Sequence, residues 1–132
     1  MSGQQNSVLD TNYLIRLLVR DVPAQTDVVA RLVKQAEPRT LIVSDVIFAE
    51  AVFVLEKFYE FDRQVIVKLL EFVLDHTVFE VNTKLLGRAL ERYAAHSRLS
   101  FVDCYAWSQA EQQSEQLRTF DQDLEKAASS RH

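Results

Sequence analysis

Apolar positions along the chain fall into two alternating kinds of segment. Ser7-Val8-Leu9, Thr40–Val43 (Thr-Leu-Ile-Val), Thr77–Val81 and Leu117–Phe120 are short, rich in strand-forming residues, and have the length of strands. Between them lie longer stretches with apolar residues at helical spacing. These predict helices over Thr11–Arg20, Thr26–Ala36, Ser44 or Asp45 to about Tyr59, Asp62 to about Leu74, Asn82 to about His96, Phe101–Gln113 and Gln122–Ala127. Asp21 and Pro23 suit the start of the second helix, and Asn82 caps the one that follows it in sequence.

Strands separated by helices imply crossover connections and a parallel sheet. The expected fold is therefore α/β: a short central parallel sheet of about four strands, flanked by helices on both faces. There is no internal repeat and no linker, so a single domain is expected over residues 7–128. The polar ends Met1–Asn6 and Ser129–His132 are expected to be mobile.

Composition narrows the classes. A chain of 132 residues that is 48% hydrophobic can bury one proper core without staples. One cysteine, Cys104, excludes an internal disulfide and a Cys-based zinc site. The apolar runs fall far short of the roughly 20 residues of a membrane helix. The start, Met-Ser-Gly-Gln-Gln-Asn-Ser, lacks the basic and apolar regions of an export signal, so a cytoplasmic location is expected. A net charge of −4 argues against holding nucleic acid by bulk positive charge.

Parallel sheets bind ligands beyond the carboxyl ends of their strands, which directs attention to polar residues there. Asp10 directly follows the first strand, in Val8-Leu9-Asp10-Thr11-Asn12. It suits a helix N-cap, but three capping-type residues in a row exceed what one helix start needs. Glu50 is the only polar side chain in the ten positions Val46–Leu55, with Val46, Phe53 and Val54 flanking it on the helix surface. Either it is a carboxylate among apolar groups that needs a compensating cation, or it begins a narrow solvated edge continued by Lys57 and Glu60.

Asp103 lies in the first turn of its helix, where an acid favours the dipole. Yet it shares the stripe of Ala106, Trp107 and Ala110 rather than the polar face of Ser108, Gln109, Glu111 and Gln112. Asp121 ends the last predicted strand and suits a cap for the helix after it. Thr119 lies on the same side of the extended chain, two residues before it. Four carboxylates converging at one sheet edge would repel one another without counter-ions. Such oxygen ligands suit Mg²⁺ or Mn²⁺, one or two ions. A site of that kind serves phosphodiester hydrolysis, and bound divalent ions make an acidic pocket attractive to phosphate.

Taken in order, Val8-Leu9-Asp10-Thr11-Asn12, Glu50 in its apolar helix, Ser100-Phe101-Val102-Asp103 and Thr119-Phe120-Asp121 resemble the PIN-domain nucleases. More narrowly they are similar to the VapC-type toxins of toxin–antitoxin pairs, from about Val8 to Leu124. The resemblance implies a Mg²⁺- or Mn²⁺-dependent ribonuclease. Asp10, Glu50, Asp103 and Asp121 would be its catalytic, metal-binding acids, and Asn12 and Thr119 would orient carboxylates or water. It also implies an RNA substrate (tRNA, rRNA or mRNA), a small antitoxin whose tail covers the active-site groove, a homodimer, and products carrying a 5′ phosphate and a 3′ hydroxyl. One departure is Glu111-Gln112-Gln113-Ser114-Glu115, where the family often ends the helix with Gly.

Other residues read more plainly. His76, His96 and His132 sit near helix ends or in the tail, without ligand spacing. Cys104 reads as a small buried hydrophobe. Arg16 and Arg20 share one face of the first helix, either solvated or in weak contact with RNA phosphates. Asp45 reads as a helix cap, and Asp123 is a rival to Asp121. Phe48, Phe53, Phe58 and Tyr59 read as core, or in part as a dimer or antitoxin surface. Two alternatives compete with the ribonuclease: a catalytically inactive PIN-like binding module, and a haloacid-dehalogenase-like phosphatase, which would need Asp where Asn12 stands.

Overall fold

The structure, a computed structural model, describes residues 5–130. Residues 1–4, 131 and 132, which include His132 and parts of the two predicted mobile ends, lie outside the described residues; Ser129, placed in the C-terminal end by the sequence, is the last residue of a helix. The chain divides into two compact units, Met1–Val81 and Asn82–His132.

The first unit holds a three-stranded parallel sheet in the order β1-β2-β3, with β1 Ser7–Val8, β2 Leu41–Ile42 and β3 Phe79–Glu80. Ser7 registers with Leu41 and Val8 with Ile42; Leu41 in turn registers with Phe79 and Ile42 with Glu80. Each crossover is a pair of helices: α1 Thr11–Val19 and α2 Pro23–Gln35, then α3 Asp45–Lys57 and α4 Arg63–Asp75. Leu14, Ile15, Val29, Leu41, Val43, Phe48, Leu55, Ile66 and Leu70 are buried, each an apolar side chain on an element the pattern predicts.

Local chemistry sets the element ends. The Ser44 hydroxyl accepts from the N–H of Ile47, so Ser44 is the cap of α3 and Asp45 its first residue. Pro23 opens α2 three residues before the predicted start at Thr26, because its missing N–H costs nothing in a first turn. Arg20 ends α1 in the left-handed region at φ 62°, its N–H donating to the carbonyl of Arg16.

The second unit is helical: α5 Thr83–Ala95, α6 Phe101–Gln112 and α7 Gln122–Ser129. Tyr93 and Phe101 meet edge to face at 5.9 Å between α5 and α6. Cys104 is buried, as its composition suggests. Helix α6 ends without glycine. Ser114 takes φ 56°, its N–H donates to Glu111 and that of Glu115 reaches back to Ala110, a Schellman closure on a serine.

Three expectations are corrected or decided. Among the described residues the sheet has three strands rather than four: Leu117–Phe120 is irregular, Phe120 is wholly exposed, and the Asp121 N–H donates to the Thr119 hydroxyl rather than to a ladder. Of the aromatic residues read as core or in part as a partner surface, Phe48 is core, and Phe53 and Phe58 are 58% and 75% exposed. Ser108 is not part of a solvated face; it is buried and accepts a hydrogen bond from Arg92.

Candidate active site

Leu9 is buried at the end of β1, and the next residue turns out of the sheet. Asp10 sits there with extended backbone, and its Oδ1 accepts from the N–H of Tyr13 at 2.8 Å, capping α1. The capping role that the sequence offers for Asp10 is therefore realised. Thr11, the first residue of α1, is buried, and its hydroxyl donates to Glu50 Oε1 on α3. Packing of α1 on α3 thus brings an acid from the second turn of α3 to the end of β1.

Asp10, Asn12 and Glu50 line one pocket of about 330 Å³ together with Thr11, Ile47 and Val54. Glu50 is exposed there rather than enclosed, and Val46 beside it is 75% exposed. Val46, Glu50, Phe53 and Lys57 form an outer stripe of α3, so the solvated-edge alternative describes the helix. The helix carries more apolar residues than its core contact covers.

These groups fit a hard divalent cation. Both carboxylates supply oxygen donors, and Mg²⁺ is commonly held by one or two carboxylates with water and substrate phosphate completing its shell. Tyr13 and Thr11 each occupy one carboxylate oxygen, which leaves Oδ2 of Asp10 and Oε2 of Glu50 without a protein partner among the described residues. Neither unit, among its described residues, holds three His, Cys, Asp or Glu side chains grouped to bind a metal ion.

Asp103 and Asp121 belong to the second unit. Asp103 forms a capping box with Ser100: its own N–H donates to the Ser100 hydroxyl at 3.1 Å, and its Oδ2 accepts from the Ser100 N–H at 3.3 Å. Asp121 caps α7, its Oδ1 accepting from the Leu124 N–H at 2.9 Å. The Thr119 hydroxyl accepts from the Asp121 N–H at 3.0 Å and fixes the turn that carries the acid. Asp123 lies in the first turn of α7 and is not its cap.

Arg16 is not a loose surface cation. Its Nε donates to Gln25 Oε1 at 2.8 Å, and its Nη1 donates to Asp21 Oδ1 at 3.2 Å and to the Tyr59 hydroxyl at 3.1 Å. The Tyr59 hydroxyl in turn donates to Asp21 Oδ2 at 2.8 Å. Arg20 is exposed at the end of α1. His76 and His96 are the C-terminal caps of α4 and α5, matching the reading of the sequence.

Thr11 is the residue the sequence reading passed over. The signal was present, since Asp10-Thr11-Asn12 holds more capping residues than α1 uses, and the surplus hydroxyl is the one that holds Glu50.

A parallel α/β unit with an acid closing its first strand, followed by a helical unit with acids at two helix starts, defines a mixed α/β protein of recognisable type. The chain belongs to the PIN domain family, whose model matches residues 7–129. PIN domains are generally nucleases, hydrolases acting on nucleic acids that typically use divalent metal ions. No curated protein and no solved structure matches the chain significantly. Among the described residues, no helix is long and apolar enough to cross a membrane.

Proposed function

We propose that the protein is a Mg²⁺- or Mn²⁺-dependent endoribonuclease acting in the cytoplasm as the toxin of a type II toxin–antitoxin pair. Asp10, Glu50, Asp103 and Asp121 are its metal-binding acids in this reading. The observation that carries it is the pairing of Asp10 and Glu50 on one pocket in a chain of the PIN family: acids forty residues apart in sequence are brought together by α1 and α3.

Held by these acids, a divalent ion would supply Lewis acidity toward phosphate and water. The chain's own work is to hold and orient. Asp10 is fixed by its cap on α1, Thr11 holds one oxygen of Glu50, and Asn12 adds an amide at the rim of the same pocket. Thr119 orders the turn at Asp121. No side-chain nucleophile is required, which agrees with the burial of Cys104. The RNA substrate, the antitoxin and the homodimer rest on the resemblance to VapC-type toxins. Val46 and Phe53, both exposed beside Glu50, supply an apolar surface for such a protein partner.

One observation favours a second reading, the inactive binding module: Asp10, Asp103 and Asp121 each already serve a helix start by accepting a backbone N–H. Calorimetry with Mn²⁺ on the wild type and on Asp103→Asn separates the two. An asparagine oxygen at position 103 can still accept from the Ser100 N–H, so the substitution removes charge and keeps the capping box. The nuclease reading expects binding by the wild type and loss of most of the affinity in the variant. No binding by either, or equal binding by both, replaces it with the binding module.

A further inference from the structure

A second cavity, of about 450 Å³, lies between α1 and α2 and shares Asp10 and Asn12 with the carboxylate pocket. Its size falls in the range of about 300–1,000 Å³ typical of small-molecule sites. We propose that it is a nucleobase subsite, taking the base of a nucleotide next to the scissile phosphate, and that Gln25 determines which base is accepted. The proposal rests on the ribonuclease reading above and adds to it the residue that sets sequence preference.

A guanidinium donates and never accepts, so the amide of Gln25 must turn its oxygen to Arg16 Nε, at 2.8 Å. That fixes which end of the amide remains: the NH₂ group, with two donors. Gln25 is exposed and lines the cavity. Arg16 is itself held by Asp21 and Tyr59, at 3.2 and 3.1 Å. The cavity therefore carries a donor group of fixed sense on a braced support.

The remaining walls suit a flat heterocycle. Tyr13 contributes an aromatic ring, and Val28, 54% exposed, an aliphatic surface. Bases splayed out of single-stranded RNA are held by stacking on such side chains and by hydrogen bonds to their edges. Each base presents its carbonyl or ring-nitrogen acceptors at different edge positions, so a fixed donor favours one over the others. The shared lining of Asp10 and Asn12 places this cavity within one nucleotide of where the acids would meet the backbone.

Gln25→Glu and Gln25→Ala test the assignment. The glutamate still accepts from Arg16 Nε but presents no donor; the alanine removes donor and acceptor without adding charge. Short RNAs of random sequence are incubated with each protein, once in EDTA to isolate the bound fraction and once in Mn²⁺ to isolate the cut fraction, and both are sequenced. The wild type is expected to favour one base at one position by about tenfold, the factor for a single hydrogen bond. Gln25→Glu should shift that preference and Gln25→Ala should flatten it. A loss of binding spread evenly over all sequences is charge repulsion alone and overturns the subsite. So does an unchanged base profile in both variants, the result expected if a segment of a partner protein occupies the cavity instead; either leaves the ribonuclease reading standing. A wild type that neither binds nor cuts any RNA overturns that reading, and the subsite with it.

Discussion

Arg92 offers the sharpest test of how the second unit holds together. It lies on α5 with a side chain 5% exposed, donates to the Ser108 hydroxyl at 3.1 Å and to Glu111 at 2.8 Å, and stacks 3.8 Å over the Trp107 ring. In Arg92→Met the apolar stem remains and a thioether replaces the cation against Trp107, so much of the aromatic contact survives. The buried Ser108 hydroxyl then loses its donor, a cost of about 1–3 kcal/mol. The charge-assisted bond to Glu111 is lost as well, discounted because that carboxylate is half-exposed and returns to water. A net loss of about 3 kcal/mol follows, within the range for a broken buried polar network. Trp107 is the only tryptophan, so its fluorescence in a urea titration follows this unit directly. Glu111→Gln supplies the acid arm of the test. The hydrogen bond from Arg92 holds the Glu111 carboxyl below its usual 4.5, against the opposing effect of burial, with the charges of Arg92 and Arg88 assisting. A depressed carboxyl stabilises above its unfolded value and loses that contribution as the pH falls through its folded value. The stability gap between wild type and Glu111→Gln should therefore be full above pH 4.5 and close below it. A cost below about 1 kcal/mol for Arg92→Met, or a gap that persists unchanged into acid, refutes the reasoning.

Two further substitutions test the remaining devices. Thr11→Val is nearly isosteric and should cost no more than about 1–3 kcal/mol in urea unfolding. Freeing Glu50 in this way should weaken Mn²⁺ binding by about tenfold, the scale for a lost supporting contact, with Thr11→Ser restoring it; unchanged affinity would remove Thr11 from the site. Ser114→Gly should stabilise by about 0.5–1 kcal/mol, because glycine takes the left-handed φ of 56° without the strain serine bears, offset by its freer unfolded chain. A destabilised Ser114→Gly would show that the closure of α6 does not depend on that strain.

How much was legible in the sequence differs by element, for identifiable reasons. The seven helices and three strands among the described residues were readable, because apolar periodicity marks the elements and side-chain caps at Asp10, Ser44, Asn82, Ser100 and Asp121 mark most helix starts. Leu117–Phe120 has strand-forming residues and is no strand, since propensity reports fit to a pleated surface and Phe120 has none to fit. The outer stripe of α3 was ambiguous because sequence gives the apolar residues but not the width of the contact that covers them. Arg92 was hidden for another reason: its stem reaches across to α6 and turns part of an apparently polar face inward.

Of the candidate site, the sequence offered four acids with two roles open to each, and Asp10 and Glu50 are the two that share a pocket. Asp10, Asp103 and Asp121 all sit at helix starts, and all three accept backbone N–H groups there. Capping and metal binding are not rivals at such positions. The cap uses one oxygen of the carboxylate and orients it; the other oxygen would remain open to a cation. A sequence cannot separate the roles, because the same residue at the same place satisfies both. Substitution can, since asparagine reproduces the cap and lacks the charge. Glu50 stands apart: it caps nothing, lies on a solvated stripe, and is held by a buried hydroxyl on another helix. A carboxylate tethered that way at an exposed position has no helix end to stabilise, so of the four acids it is the one whose placement is hardest to explain by folding alone.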